Sequence, residues 1–475
     1  MMGTKVFQEK IFYNFSLSRK IPSDHLLRQI HELIDVSFVR DLVTDKYSHT
    51  GQPSIDPEVL FKMMLLGYLY GITSERRLAQ DVSLNLAYRW YLGYDLDEDT
   101  PDHSVISKAR TRYGKEIFER FFQRILGLCV QAGLVRGEKV FADSTIIKAN
   151  ASLQSIQQRP EAVTPPLSPR EFVQKVFTEN PVQEEEPKDV PPTEPPRISN
   201  KTHVSTSDPD ASLTRRPGKL LAQLAYKEHF TVDAHARVIT AVAVTPAAVG
   251  DEAMLQPLLD NQPVPVHEVG ADSKYGTFDN YQALFERGIR SSIPPWNPGN
   301  PSRAPLFSQS IFPYNPQADT YQCPGGKTLT RGNDQLHLDR WTFHARKRDC
   351  SPCSLRSRCI GPTQKKRRIF RHKYQEAKDI ALAYLNTEQG KTTQRERKVY
   401  AEWINAESKG CHGLRRAQGR GLGKVTIQVL MIASVQNMKR LIRWGLKPAM
   451  ELQNQVKNIK KAIPNLFVSQ VFQFA

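Results

Sequence analysis

Between residues 57 and 130 apolar side chains recur at steps of three and four. Leu60, Met63, Met64 and Tyr68 lie along one stripe, Leu78, Leu86 and Trp90 extend it, and Phe118, Phe121, Phe122 and Ile125 form another. This spacing predicts amphipathic helices packed by one face. Asp56 before Pro57 supplies an N-cap and a first-turn proline, and Thr73 or Ser74 caps the helix that follows. Residues 1–130 therefore read as a helical N-terminal domain. At 139–147 the pattern becomes that of a strand. Residues 224–244 give two β-rich runs around a turn at Asp233–Arg237, a hairpin. "GDEAMLQPLLDN" reads as a short helix, and residues 265–295 as strand, turn, helix and strand. From 376 onward helices return, through "YQEAKDIALAYLN", "TQRERKVYAEWINAESKG" and "KVTIQVLMIASVQNMKRLIRW".

Two stretches interrupt this order. Residues 153–217 are rich in Pro, Ser, Thr, Gln and Glu, a composition that cannot bury a core and predicts a flexible insertion, although its turn-rich end, "STSDPDASLTRRPGK", is compatible with order. Residues 296–375 are loop-rich and carry cysteines, a second insertion. An α/β catalytic region is thus expected in three pieces, 131–152, 218–295 and 376–446, with a tail at 447–475.

The chain has 475 residues, 66 Lys and Arg against 49 Asp and Glu, and a net charge of +17. Such an excess fits a polyanionic partner such as nucleic acid, and fits equally an evenly basic surface. Arg76, Arg77, Arg89, Lys108, Arg110 and Arg112 on the short helices suit a helix-turn-helix-like DNA reader, or a packing domain with a solvated basic face. No secretory signal and no run near the ~20 apolar residues of a membrane span is visible, so a cytoplasmic protein without membrane contact is expected.

Two strands end alike, "KVFADS" at Asp143 and "HEVGADS" at Asp272. A strand-end aspartate is commonly only a turn starter. Two on adjacent strands, however, repel unless a cation lies between them. Mg²⁺ takes oxygen ligands and keeps positions open for water and phosphate, and Mn²⁺ is an alternative. Such ions activate a water or a 3′ hydroxyl in phosphoryl transfer. A third acid is best sought in "RERKVYAEWINAESKG". At about 100° per residue, Glu402, Lys398 and Lys409 share a helix face and Glu407 points about 140° away. A charged, solvated helix face is the plain alternative.

These segments resemble the DDE transposases of bacterial insertion sequences, and are most similar to the insertion sequence 1182 group. "SIDPEVLFKMMLLGYLYGITSERRL" resembles the helical domain of that group, "FADSTIIKANAS" its first-Asp strand and "GADSKYGTFDNYQAL" its second. "AEWINAESKGCHGLRRAQGRGLGKVTIQVLMIASVQNMKRL" resembles its third-acid helix and the segment beyond. The resemblance implies a ribonuclease H-like mixed sheet flanked by helices, and a metal-binding triad of Asp143, Asp272 and Glu402. Lys409 stands seven residues after the glutamate, where related enzymes carry a lysine. Lys398, with Arg397 beside it, replaces their upstream arginine, and Arg395 replaces their tyrosine.

Cys323, Cys350, Cys353 and Cys359 follow as C-x26-C-x2-C-x5-C, a spacing that suits a structural Zn²⁺ knuckle. After the third-acid helix, Arg415, Arg416, Arg420 and Lys424 stand among glycines with no acid, as suits DNA running past the site. The resulting expectation is a sequence-specific transposase, dimeric on double-stranded DNA and nucleoid-associated in a bacterial cytoplasm. It would cut element ends and join them to target DNA. The alternatives are an inactive transposase-derived DNA-binding protein and a metal-dependent nuclease without strand transfer.

Overall fold

The computed structural model describes residues 14–48, 50, 54–159, 198–215, 222–296, 306–332 and 339–462, with backbone alone beyond Trp444. The middle of the Pro-rich stretch, 160–197, lies outside the described residues, as does the end of the expected tail, 463–475.

After a single turn at Leu17–Lys20, the helices of the N-terminal part are α1 (Leu26–Leu33), α2 (Phe38–Val43), α3 (Pro57–Leu69), α4 (Glu75–Leu84), α5 (Leu86–Leu92) and α6 (His103–Gln131). Local chemistry sets their ends. Asp56 caps α3 by accepting from the Glu58 N–H at 2.9 Å. Ser74, Asn85 and Asp102 cap α4, α5 and α6 in the same way. Gly93 closes α5 with φ +84°, a left-handed conformation that glycine adopts without a Cβ penalty. α6 breaks at Gly114. The phenylalanines of α6 are buried, Phe118 and Phe121 against Phe61 of α3. A fully buried side chain of this size contributes about 2–3 kcal/mol.

The central sheet contains β1 (Val140–Lys148), β2 (Ser212–Thr214), β3 (Gln223–Asp233), β4 (Ile239–Pro246), β5 (Glu268–Gly270) and β6 (Arg290–Ser292). Its order is β2-β3-β1-β5-β6, with β4 also on β3. β1 runs antiparallel to β3, from Val140 opposite Asp233 to Lys148 opposite Ala225. On its other edge it runs parallel to β5, Phe141 opposite Gly270, and β5 runs parallel to β6. The predicted hairpin is β3–β4, and Arg237 in its turn has φ +59°. Between β5 and β6 lies α8 (Phe278–Glu286), after α7 (Leu255–Asp260).

Four helices cover the sheet or lead into it: α7, α8, α9 (Gln375–Leu385) and α10 (Glu388–Cys411). The last helix, α11 (Leu422–Ala462), packs on α6 and β4. Asn437 of α11 accepts from the Ile239 N–H and donates to its carbonyl, both at 2.8 Å, taking the place of a strand neighbour. One hydrophobic cluster runs from Leu27 through Phe141 and Phe230 to Ile442, so the helical N-terminus and the sheet share a core.

Two boundaries differ from expectation. The 153–217 stretch is ordered at its edges: residues 156–158 pair with 203–205, and β2 joins the central sheet. Short alternating runs such as "ASLTR" were masked by the prolines around them. The tail expected from 447 is helical to 462. The 306–374 segment forms its own antiparallel sheet of β7 (Tyr314–Asn315), β8 (Thr320–Gln322), β9 (Thr328–Arg331), β10 (Arg340–His344) and β11 (Arg368–His372). It has a separate core of Phe312, Tyr321, Leu329, Phe343 and Ile369.

Candidate active site

The parallel register of β1 and β5 does the first work. It sets Phe141 opposite Gly270, so two residues further on Asp143 and Asp272 stand at the same level on neighbouring chain segments. Asp143 is half-buried on β1. Asp272 follows β5 and accepts from the Lys274 N–H at 3.0 Å as the cap of a short 3₁₀ turn. Burial pushes the Asp143 carboxyl up, and the charges of Asp272 and Asp251 push it further. The Ser144 N–H and Arg397 oppose this, and the group ends at about 6. A carboxylate held this way favours either a proton or a cation.

α10 crosses the face of the sheet obliquely. Gln394 donates to the carbonyls of Ala271 and Ser292. Tyr400 meets the Phe141 ring at 5.3 Å. Asn405 donates to Asp143 at 3.3 Å, and Lys409 donates to Thr145, two residues along the same face of β1. Glu402 is exposed and makes no hydrogen bond or ion pair among the described residues. It nevertheless shares the helix stripe 402, 405 and 409 whose other two members touch β1. Glu407 points the other way. Its carboxylate holds Arg440 at 2.6 Å and Lys439 at 2.9 Å, beside His412 at 3.5 Å. That opposite side of α10 borders a cavity of about 1020 Å³, where the Arg237 guanidinium stacks on Trp403 at 3.8 Å.

Several participants were not picked out from the sequence. Asp251 is buried with both oxygens engaged, by Lys227 and Lys274 at 2.9 Å each. Burial pushes it up, but those hydrogen bonds outweigh it and hold it below its ordinary value. Glu228, opposite Thr145 on β3, is fully buried. Burial and Asp143 push it to about 8 against the pull of Lys409. Burial and the two lysines lower His229 to about 4 despite Asp251. The period-two pattern of β1 and β3 was the available signal, because it aligns Asp143, Thr145 and Glu228 once the register is known.

The basic residues sort into two groups. Arg397 lies near Asp143 with its Nε buried and unpartnered, whereas Lys398 is exposed. The segment after α10 runs alongside the end of β1. Lys148 bridges to Arg416, and Arg416 and Arg420 bind the Asn150 side chain and carbonyl at 2.9 and 3.0 Å. Arg415 and Lys424 are exposed nearby in sequence. Arg76 and Arg77 are exposed on the first turn of α4 and belong to the helical part rather than to the acid pair. Arg89 is buried and donates to the carbonyls of Ser83, Asp95, Leu96 and Glu98, while Arg110 pairs with Glu75 at 2.7 Å. Those two therefore hold the fold and do not face DNA.

In the 306–374 segment Cys323, Cys350, Cys353 and Cys359 line one cavity of about 310 Å³. The Lys327 N–H donates to Cys323 Sγ at 3.3 Å. Burial pushes the Cys359 thiol up, and Arg367 opposes this. Among the described residues no group of three or more His, Cys, Asp or Glu is drawn into an arrangement that holds a metal ion. The donor chemistry still fits the expected ions. Asp143 and Asp272 offer hard oxygens close enough for the charge of one to act on the other, Asn405 Oδ1 is buried and unpartnered, and four sulfurs line one cavity.

Residues 15–112 match a family model described as "Transposase domain (DUF772)", and residues 322–442 match one described as "Transposase DDE domain". The chain thus carries a transposase domain in its helical N-terminal part and a DDE transposase domain that includes β8 to α11. No protein of curated function matches it. A solved piggyBac transposase synaptic complex with hairpin DNA is similar over 94% of this chain and 84% of that one, at 9% identity and a TM-score of 0.30. That likeness is too slight to carry an argument. No helix of the described residues is long and apolar enough to cross a membrane.

Proposed function

We propose that a chain carrying these two transposase domains is a DDE transposase of a bacterial insertion sequence, of the insertion sequence 1182 group. It cleaves the ends of its element and joins them to target DNA. The observation that carries this reading is the parallel β1–β5 register, which levels Asp143 with Asp272 beneath a helix that offers Glu402. The strand order supports a ribonuclease H-like core: an antiparallel β4-β3-β1 hairpin meander, then β5 and β6 parallel on the other edge of β1.

In this reading Asp143, Asp272 and Glu402 hold the catalytic divalent cations, Mg²⁺ or Mn²⁺. When bound, such ions polarise the scissile phosphate and acidify the attacking water or 3′ hydroxyl. The rest is done by the protein. Asn405 fixes the Asp143 carboxylate, and Lys409 ties α10 to Thr145, so the third acid is held over β1 by its own helix. Lys227 and Lys274 neutralise Asp251, which keeps a third negative charge from crowding the pair. Arg397, Lys398, Arg415, Arg416, Arg420 and Lys424 position DNA phosphates around the site, contacts that orient the duplex without reading sequence. The N-terminal helices, with Arg76 and Arg77 exposed, recognise the element end. Cys323, Cys350, Cys353 and Cys359, which line one cavity, would hold a structural Zn²⁺. Two protomers on DNA process the two ends together, in the bacterial cytoplasm at the nucleoid.

The test uses purified protein, a plasmid carrying the element between its inverted repeats, and Mg²⁺. Cleavage at both ends and joint molecules with a second plasmid are expected, and both vanish in Asp272→Asn while end binding persists. Cleavage without joint molecules identifies a nuclease, and binding without any nick identifies a DNA-binding protein.

A further inference from the structure

The most basic part of the molecule lies away from the acids. Residues 306–374 hold 14 Lys and Arg against 4 Asp and Glu, a net of +10 within the +17 of the whole chain. Part of that charge is structural. Arg367 donates to the carbonyls of Cys359 and Phe307, and Arg356 to those of Cys350 and Gln364, so both brace the cysteine loops. Arg331 pairs with Asp319 and Lys373 with Asp339.

Some of the remaining cations lie on one face of the small sheet. Alternation along β10 and β11 sends Phe343 and Ile369 into the module's core and turns His344, Arg368 and Phe370 outward. Arg340 opposite His372 joins them, its guanidinium over the Phe370 ring at 4.3 Å, and that ring is 39% exposed. The Ala345 N–H donates to Arg367 O, extending the ladder so that Lys366 falls on the same side as Arg368. Burial lowers His344, and the charges of Lys366 and Arg368 lower it further. Lys365 and Arg368 are exposed, and Lys365, Lys366 and Arg368 have no acidic partner among the described residues.

The face also lies next to the catalytic loop. His372, at the end of β11, stacks on Phe278 with ring centroids 4.0 Å apart. Phe278 opens α8, six residues after Asp272.

We propose that this outward sheet face, carrying Lys366, Arg368 and the Arg340–Phe370 pair, with the exposed Lys365 beside it in the bend that precedes β11, is a docking surface for the phosphate backbone of duplex DNA. It clamps DNA that continues beyond the acid pair. The match is one of charge: a polyanion meets cations fixed on a rigid sheet by a ring contact and a separate core. Its contacts are to phosphate and add affinity without sequence preference. The inference rests on the reading of the chain as a DNA transposase.

The test compares wild type with Lys365→Ala/Lys366→Ala/Arg368→Ala, and with Lys365→Arg/Lys366→Arg, which keeps the charge. Binding to element-end and unrelated duplexes of equal length is measured between 50 and 200 mM salt. Losing three phosphate contacts lowers the slope of log affinity on log salt by about 2.7, so wild type weakens about 40-fold more than the triple variant over that range. At low salt the triple variant binds both duplexes less well by the same factor, and the double-Arg variant behaves as wild type. Circular dichroism and melting of the triple variant match wild type, since the three side chains are on the surface. Equal affinity and slope in the triple variant overturn the inference and leave the transposase reading intact. A loss confined to element ends also overturns it, because it assigns the face to sequence recognition. A wild type that binds no duplex overturns the transposase reading itself, and this surface with it.

Discussion

Glu402 and Glu407 sit five residues apart on one helix, and their environments predict opposite consequences for the same change. Glu407 is mostly buried and holds Arg440, itself 8% exposed, together with Lys439 and the fully buried His412. Its burial is outweighed by those partners, which hold the carboxyl well below its ordinary value. A depressed acid contributes stability that is present above its unfolded value near 4.5 and fades as pH falls below it. Glu407→Gln leaves Arg440 and Lys439 without a counter-charge. Breaking a buried pair from one side costs roughly 3–5 kcal/mol, and because Lys439 is a third exposed and Gln still accepts a hydrogen bond, about 3 kcal/mol is expected. Glu402 is exposed with no partner among the described residues, so Glu402→Gln shifts stability by no more than about 0.5 kcal/mol. Urea unfolding followed by circular dichroism, run at pH 7 and pH 4, measures the first effect. The gap between wild type and Glu407→Gln should shrink at the lower pH. Mg²⁺-dependent nicking of element-end DNA, normalised to folded protein, measures the second. Glu402→Gln should bind ends and fail to nick, whereas Glu407→Gln should nick once folded. A stable but inactive Glu407→Gln beside an active Glu402→Gln would refute the assignment of the third acid.

The other predictions address the first acid, the cysteines and the junction of the two parts. Asp143 titrates higher in the folded chain than in the unfolded one, so its charge costs stability as pH rises from about 4 to about 6. Asp143→Asn should therefore be more stable than wild type at pH 7, by about 1–3 kcal/mol, equally stable near pH 3.5, and unable to nick. Cys353→Ser should lower bound zinc, read by atomic emission, from one per chain toward none, and should loosen hydrogen exchange in 306–374 before the central sheet. Gly71 has φ +66°, and a Cβ there would lie 2.3 Å from the Cys411 carbonyl, so Gly71→Ala should pry α3 and α4 from the loop after α10. A loss of about 2 kcal/mol or more in unfolding experiments is expected, with weaker end cleavage.

How much of this was legible beforehand depended on the range of the interaction that fixes each feature. The caps at Asp56 and the stripe through Phe118 and Phe121 are local, so the helices of 57–130 could be read directly from spacing. The repeated Ala-Asp-Ser strand ends pointed to Asp143 and Asp272 for the same reason. Asp251 and Glu228 carried no such mark. Each looks like an ordinary acid until the sheet register brings Lys227 and Lys274 to one and Thr145 to the other. The edge strand β2 was hidden because three residues between proline-rich neighbours give too short a pattern to count. The cysteine spacing suggested a knuckle, but spacing is silent on the sheet face next to it, which exists only through the pairing of β10 with β11.

The contact between Asn405 and Asp143 spans 262 residues of chain, and the one between Asn437 and Ile239 spans 198. Time on the ribosome therefore enters the life of this site. A chain grows by roughly 5–20 residues per second, so α10 emerges roughly 15–50 seconds after β1. During that interval Asp143 exists without Asn405, Lys409 or Glu402 above it. A nascent chain, or one broken off before residue 388, carries the residues of the helical N-terminal part but none of α10. In the reading proposed above, molecules of that kind lack the third acid, so the site is complete only once synthesis has passed α10.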